Sequence, residues 1–249
     1  MSVSAQDNYR PAVALAICAS ILFVVQALVA TLAAFSTSHQ IALVDAARFG
    51  SPILPGLAEA QDVQQRLLAA IEFGIGLGAA IFFLIWVYRA SRNARSLGIE
   101  GMQYSPGWSV GWFLVPLANL FMPYMVVREL WKASAASPMR EWRQAVASPI
   151  VGVWWAVSVV SMTLHYSPIR VLSGQMELTD SSRFGTGWLD ALREFYCGRL
   201  IFDIVEIAVS VLTMVVVVCI TDFQEGQRVA LNELRTRQVA PDSDRPNMA

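Results

Sequence analysis

"GWFLVPLANLFMPYMVVRELW", residues 111–131, starts as a membrane-spanning helix would, then interrupts itself with Pro116 and Pro123 before the charged pair Arg128-Glu129. Whether this stretch crosses a bilayer or enters it and turns back decides the topology of the chain. Proline removes an amide donor and its ring clashes with the preceding helical turn. Only nine residues run from Trp108 to Pro116, about 13 Å of helix and roughly half a hydrocarbon core. Irregular backbone at that depth persists only where protein or enclosed water satisfies it, a task that Asn119 is placed to share. "PLAN", residues 116–119, therefore reads as a buried turn. The alternative is a proline-kinked fifth span, which membrane helices tolerate.

The composition says why a bilayer enters at all. The 249 residues are 55% hydrophobic and 15% charged, with mean hydropathy +0.49. Soluble domains carry about 25% charge, so too few charged residues are present to cover a water-soluble surface. The net charge is -1 and Lys132 is the single lysine, so bulk charge gives no reason to expect nucleic acid as a partner. Cys18, Cys197 and Cys219 are odd in number and far apart, which fits neither a disulfide framework nor a CxxC site.

Four apolar runs read as spans. Residues 12–35 hold no charge; the run exceeds a signal-peptide apolar region, so an uncleaved anchor is expected. The second, a run at 73–88 in a span of about 71–88, is preceded by "LAEAQDVQQRLLAAIE", whose Leu57, Ala60, Val63, Leu67 and Ile71 recur at helical spacing, so its helix starts well before the membrane. Gly74 and Gly78 form a G-x-x-x-G that would let another helix approach, but glycine is frequent in spans and ordinary packing is the preferred reading. The others are 149–166, with interfacial aromatics, and 200–221, with Asp203 and Glu206 near its start. Residues 187–199 form an amphipathic lead into the last span. Ser-Pro pairs at 105–106, 137–138 and 148–149 each sit where a helix starts, serine as cap and proline in the first turn. The expected organisation is a cytoplasmic N-terminus (1–11), one helical membrane domain (12–238) and a disordered tail (239–249).

Charge counting separates the two readings of 107–127. If the segment crosses, positive residues divide 8 against 10 between the two sides. If it returns, Arg128, Lys132, Arg140 and Arg143 join Arg10, Arg89, Arg92, Arg95 and the tail arginines, and the division becomes 12 against 6. Cytoplasmic loops carry the Lys and Arg excess. The returning segment, with both termini cytoplasmic, accounts for the distribution.

The stretches "WVYRASRNARSLG", "GWSVGWFLVPLANLFMPYMVVRELWKAS" and "VGVWW" resemble the bacterial membrane family catalogued as domain of unknown function 4328. The matching positions are Arg89 and Asn93 after one span, and Trp112, Pro116, Asn119 and Pro123 in the interrupted segment. Trp131 and Ser134 follow it, and Trp154-Trp155 open the next span. The resemblance runs from the first span to the last. It implies an integral protein of the bacterial plasma membrane and carries no activity, cofactor or catalytic residue.

Three constellations stand as candidates. The interrupted segment is one, because unwound backbone at membrane depth builds ion and substrate sites in transporters; the plain reading is a structural turn. Glu72, His165, Asp203 and Glu206 form a candidate polar cluster at one membrane face, with Asp203 and Glu206 on one helical face; the plain reading is interfacial charge near water. Arg92, Arg95, Arg128 and Lys132, beside Arg89, are candidate contacts for anionic lipid headgroups; ordinary positive-inside anchoring demands the same residues. No nucleotide-binding loop, catalytic triad or metalloprotease motif is found in the sequence, and no cofactor is expected. The expectation is an all-α integral membrane protein. It would act as a non-enzymatic module binding lipid or a membrane-protein partner, or alternatively as a small transporter or channel component.

Overall fold

The computed structural model of the protein describes residues 9–52, 55–136, 141–165 and 187–239, and every regular element within them is helical. The Ser137-Pro138 joint, the His165 side chain, the loop 166–186 and the tail 240–249 lie outside the described residues. Six α-helices follow in order: α1 (Val13–Arg48), α2 (Pro55–Ser96), α3 (Pro106–Gly111), α4 (Met122–Ala135), α5 (Pro149–His165) and α6 (Trp188–Val239). α1, α2 and α6 are long and apolar enough to cross a membrane; α5 is apolar but has only 17 residues.

The side-chain pattern of α1 is that of a helix in lipid. Ile17, Ile21, Leu28, Leu32 and Phe35 point outward, while Ala16, Ala19, Ala30 and Ala33 face the interior. Water would bury the large residues and leave the small ones outside; against lipid, small residues draw helices close and large ones face the acyl chains. α2 repeats the outward row with Leu67, Ile71, Leu77, Ile81 and Ile85.

The helices outlast the apolar runs that mark them. α1 continues to Arg48 because Val44, with Ile41, packs against Trp188, Leu192 and Tyr196 of α6. This is where the amphipathic lead lays its apolar face; beside it Arg193 pairs with Asp45 at 2.8 Å and Arg48 with Asp190 at 2.6 Å. α1 then stops at Gly50, whose φ of 92° suits glycine, with Gly50 N–H on the Ala47 carbonyl and Ser51 N–H on Ala46. α2 ends the same way at Gly98, φ 87°, releasing the chain into the interrupted segment.

The described residues fall into two compact units. The first comprises 9–17, 83–136, 141–151 and 216–239; the second comprises 18–52, 55–82, 152–165 and 187–215. Within the second unit the G-x-x-x-G makes no close helix contact among the described residues, in keeping with the plain reading of these glycines. A Cβ added at Gly74 or Gly78 would meet nothing within 4 Å, so neither carries a close approach among the described residues. At the glycine between them, Gly76, a Cβ would lie 3.7 Å from the Gln26 carboxamide, in ordinary contact range.

Candidate functional site

In the first unit the interrupted segment is a short helix, a break and a longer helix. Ser105 caps α3, its Oγ accepting from the Trp108 N–H at 3.3 Å, with Pro106 in the first turn. Ser148 likewise accepts from the Ile150 N–H at the start of α5. After α3 the backbone closes on itself. Ala118 N–H donates to the Pro116 carbonyl at 2.8 Å across Leu117, whose φ of 65° and ψ of -47° make a γ-turn of the strained positive-φ kind. A single 3-10 turn, Ala118–Leu120, leads into α4, where Pro123 is buried in the first turn. The expectation that Asn119 helps satisfy this turn is corrected: main-chain bonds close it, and the Asn119 Oδ1 is buried without a hydrogen-bond partner.

The two flanks of the segment meet. The Glu129 carboxylate on α4 accepts from the Gln103 and Tyr104 backbone N–H groups at 2.5 and 3.3 Å. Trp142 Nε1 donates to the Glu100 carbonyl and Arg143 to the Gly101 carbonyl, each at 2.9 Å. Burial, reinforced by Glu129, pushes the Tyr104 phenol above its ordinary pKa. The ends of the 105–129 excursion are therefore joined by main-chain and side-chain bonds.

The family-motif residues of this unit hold that arrangement. Asn93, almost wholly buried, donates to the Arg10 carbonyl at 2.9 Å and accepts from the Arg10 N–H, holding the chain ahead of α1. Ser134 accepts from Gln224 Nε2, which also donates to the Ala90 carbonyl at 3.0 Å, so α6, α4 and α2 are tied at one carboxamide. Gln227 donates to the carbonyls of Ala133 and Ala136 at the end of α4. Trp131 meets Phe223 edge-on with ring centroids 5.4 Å apart, and Trp112 packs on Trp108. Pro116 and Leu117 are exposed at the tip. At the N-terminus Tyr9 donates to Glu225 at 2.7 Å; burial, then that bond, raises its pKa.

The candidate basic residues divide by what they touch. Arg95 donates to Ser91 and to the Tyr104 carbonyl, and Lys132 donates to the Arg143 carbonyl at 3.2 Å. Arg92 and Arg128 are exposed and Arg89 half-buried, and none of the three makes an ion pair among the described residues. Arg92 lies against the Tyr88 ring, 6.0 Å from its centroid.

The second unit holds most of the acidic cluster. Arg199 donates to Glu72 at 2.6 Å and to Asp203 at 2.8 Å, and Asp203, fully buried, also accepts from Thr37 at 3.2 Å. Glu206, one turn further along α6, accepts from Ser161. A cavity of about 350 Å³ opens here, with Gln26, Glu72, Phe73, Phe202 and Glu206 in its wall. Trp154 Nε1 donates to Thr213 at 2.9 Å and its ring packs on Trp155. No three His, Cys, Asp or Glu side chains among the described residues are grouped as a metal site would require.

Sequence reasoning brought Glu72, Asp203 and Glu206 to one face and missed the residues that join them. Arg199 is one of them, and its position four residues before Asp203 on one helix is a signal for pairing. Gln26 was the other signal, the one carboxamide in the run 12–35, where a polar side chain needs a reason to be in lipid.

Comparison with known proteins adds a family and no activity. The family model described as Domain of unknown function (DUF4328) matches residues 50–222. No curated protein and no solved structure matches the chain.

Proposed function

Because the chain belongs to the DUF4328 family, whose description assigns no chemistry, we propose a function from its own residues: a non-enzymatic membrane module that holds anionic phospholipid headgroups. In this reading α1, α2, α5 and α6 are four spans of a bacterial plasma-membrane protein, and 107–127 enters the bilayer and returns. Both termini then face the cytoplasm. The bonds from Glu129 to Gln103 and Tyr104 support the return, because they bring the two ends of the excursion to one level. The large apolar side chains at its tip, Leu114, Leu117 and Phe121, are exposed, as residues dipping into lipid would be.

The observation that carries the lipid reading is the contrast among the basic residues. Arg95 and Lys132 are committed to main-chain carbonyl groups, whereas Arg89, Arg92 and Arg128 make no ion pair among the described residues. Guanidinium groups recognise phosphate oxygens in a fork geometry, and each positive charge near an anionic leaflet contributes about 1 kcal/mol. The test is native mass spectrometry of the purified protein titrated with phosphatidylglycerol or phosphatidylcholine. The protein should retain phosphatidylglycerol preferentially, and the triple variant R89A/R92A/R128A should weaken that retention roughly 100-fold. Equal retention of the two lipids, or a triple variant that binds like the parent, contradicts the reading.

A second reading, a transporter or channel component, is favoured by one observation, the cavity beside the buried Arg199 network.

A further inference from the structure

The cavity of the second unit has a polar wall that is incomplete and an apolar wall opposite in character. On the polar wall, Glu72 is already engaged by Arg199, which also pairs with Asp203. Glu206 has the Ser161 hydroxyl as a donor and no cationic partner among the described residues. Gln26 is only 8% exposed, and its Oε1 has no hydrogen-bond partner. A buried carbonyl oxygen without a donor costs about 1–3 kcal/mol, and a carboxylate in a low-dielectric setting needs a counter-charge. Gly76 lies beside the Gln26 carboxamide, in ordinary contact range. The remaining wall is Ala69, Phe73, Leu77 and Phe202, two of them aromatic faces of the kind that attract cations.

A carboxylate without a cationic partner and a carbonyl oxygen without a donor specify a ligand that donates and is positive. A space of about 350 Å³ is far larger than a bare metal ion and lies within the range of small-molecule sites; its apolar wall requires a hydrocarbon body. We propose that this cavity binds a primary alkylammonium group, its N–H donors shared between the Glu206 carboxylate and Gln26 Oε1 and its alkyl portion against Phe73, Leu77 and Phe202. A free amine and the ethanolamine headgroup of a phospholipid both present this chemistry. The site is separate from the proposed anionic-lipid face, which uses none of these residues.

The test is calorimetric titration of the full-length protein in phosphatidylcholine nanodiscs with butylammonium. Butan-1-ol, which lacks the charge, and tetramethylammonium, which lacks N–H donors, are titrated in parallel. Butylammonium binds at least about tenfold more tightly than either, because a charge-assisted hydrogen bond is lost in each control. Glu206→Gln weakens it roughly 10-fold or more, and Gln26→Leu roughly fivefold. The three-probe comparison on the unsubstituted protein needs no variant, so a variant that fails to fold leaves it decisive. Repeating the titration in phosphatidylethanolamine nanodiscs separates the sources: suppressed butylammonium binding assigns the site to the lipid headgroup, and unchanged binding assigns it to a free amine. Butylammonium binding no tighter than butan-1-ol, or unaffected in a folded Glu206→Gln protein, overturns the proposal.

Discussion

Gln224 in the first unit and Arg199 in the second each reach from α6 to α2, one to the Ala90 carbonyl and the other to the Glu72 carboxylate. The first uses a neutral carboxamide, the second a charge. A neutral amide leaves water at modest cost and regains part of it through its donor hydrogens, as Gln224 does on Ala90 and Ser134 while its Oε1 stays buried without a partner. A guanidinium and two carboxylates cost several kcal/mol apiece to desolvate and persist only through one another. Buried polarity in the first unit therefore ties α6 to α2 and α4 through neutral groups. In the second unit charge itself is buried, with the Glu72 carboxylate in the wall of a cavity.

The contrast is sharpest at Arg199. Arg199→Met leaves Asp203 and Glu72 without their shared cation and lowers stability by about 3–5 kcal/mol, read as a fall of roughly 10 °C in the thermal midpoint of the purified protein. Gln224→Leu is the matched change in the first unit. It removes donors from the Ala90 carbonyl and Ser134, costs about 1–3 kcal/mol, and speeds hydrogen exchange across α4 specifically. If it costs as much as Arg199→Met, the distinction between the units fails.

Smaller effects sharpen the first unit alone. Asn93→Ala frees the half-exposed chain at Arg10 and costs about 1 kcal/mol, read most directly as faster proteolysis near residue 10. Leu117→Gly relieves the positive φ at the break and changes stability by about 0.5–1 kcal/mol in the favourable direction, seen as a small rise in the thermal midpoint. Arg92→Ala and Arg128→Ala leave stability within about 0.5 kcal/mol; a larger loss in either would mean that the side chain holds structure and is not free for a headgroup.

Much of this was legible in the sequence because it is local. The uncharged run 12–35, the Ser-Pro caps at 105 and 148 and the proline break at 116 each act through the nearest turn of chain. The early start of α2 and the lead into α6 were legible from helical spacing, but the far end of α1 was not, because α1 continues past Phe35 where Val44 finds Trp188 and Leu192, far along the chain. The satisfier of the break was misread for a related reason: a γ-turn at Leu117 has no composition signal, whereas Asn119 is the residue that sequence intuition supplies. Asp203 and Glu206 were visible as a helical pair, but Glu72 meets Arg199 at a separation of 127 residues, and a cavity belongs to the packing of several helices at once. The family motif residues proved legible as positions without revealing their work, which for Asn93 and Ser134 is hydrogen bonding that holds the first unit together.

The account turns on the excursion between Ser105 and Glu129 returning to the side from which it left. Single cysteines placed at Gln103 and Ala135, both exposed, in a protein with Cys18, Cys197 and Cys219 replaced, can be probed in intact cells with a membrane-impermeant maleimide. Protection of both sites until the membrane is permeabilised is the predicted result, with both flanks and their arginines at the cytoplasmic face. Labelling of position 135 from outside while 103 stays protected would make the segment a fifth span, divide the arginines between two sides, and contradict the proposed lipid-binding face.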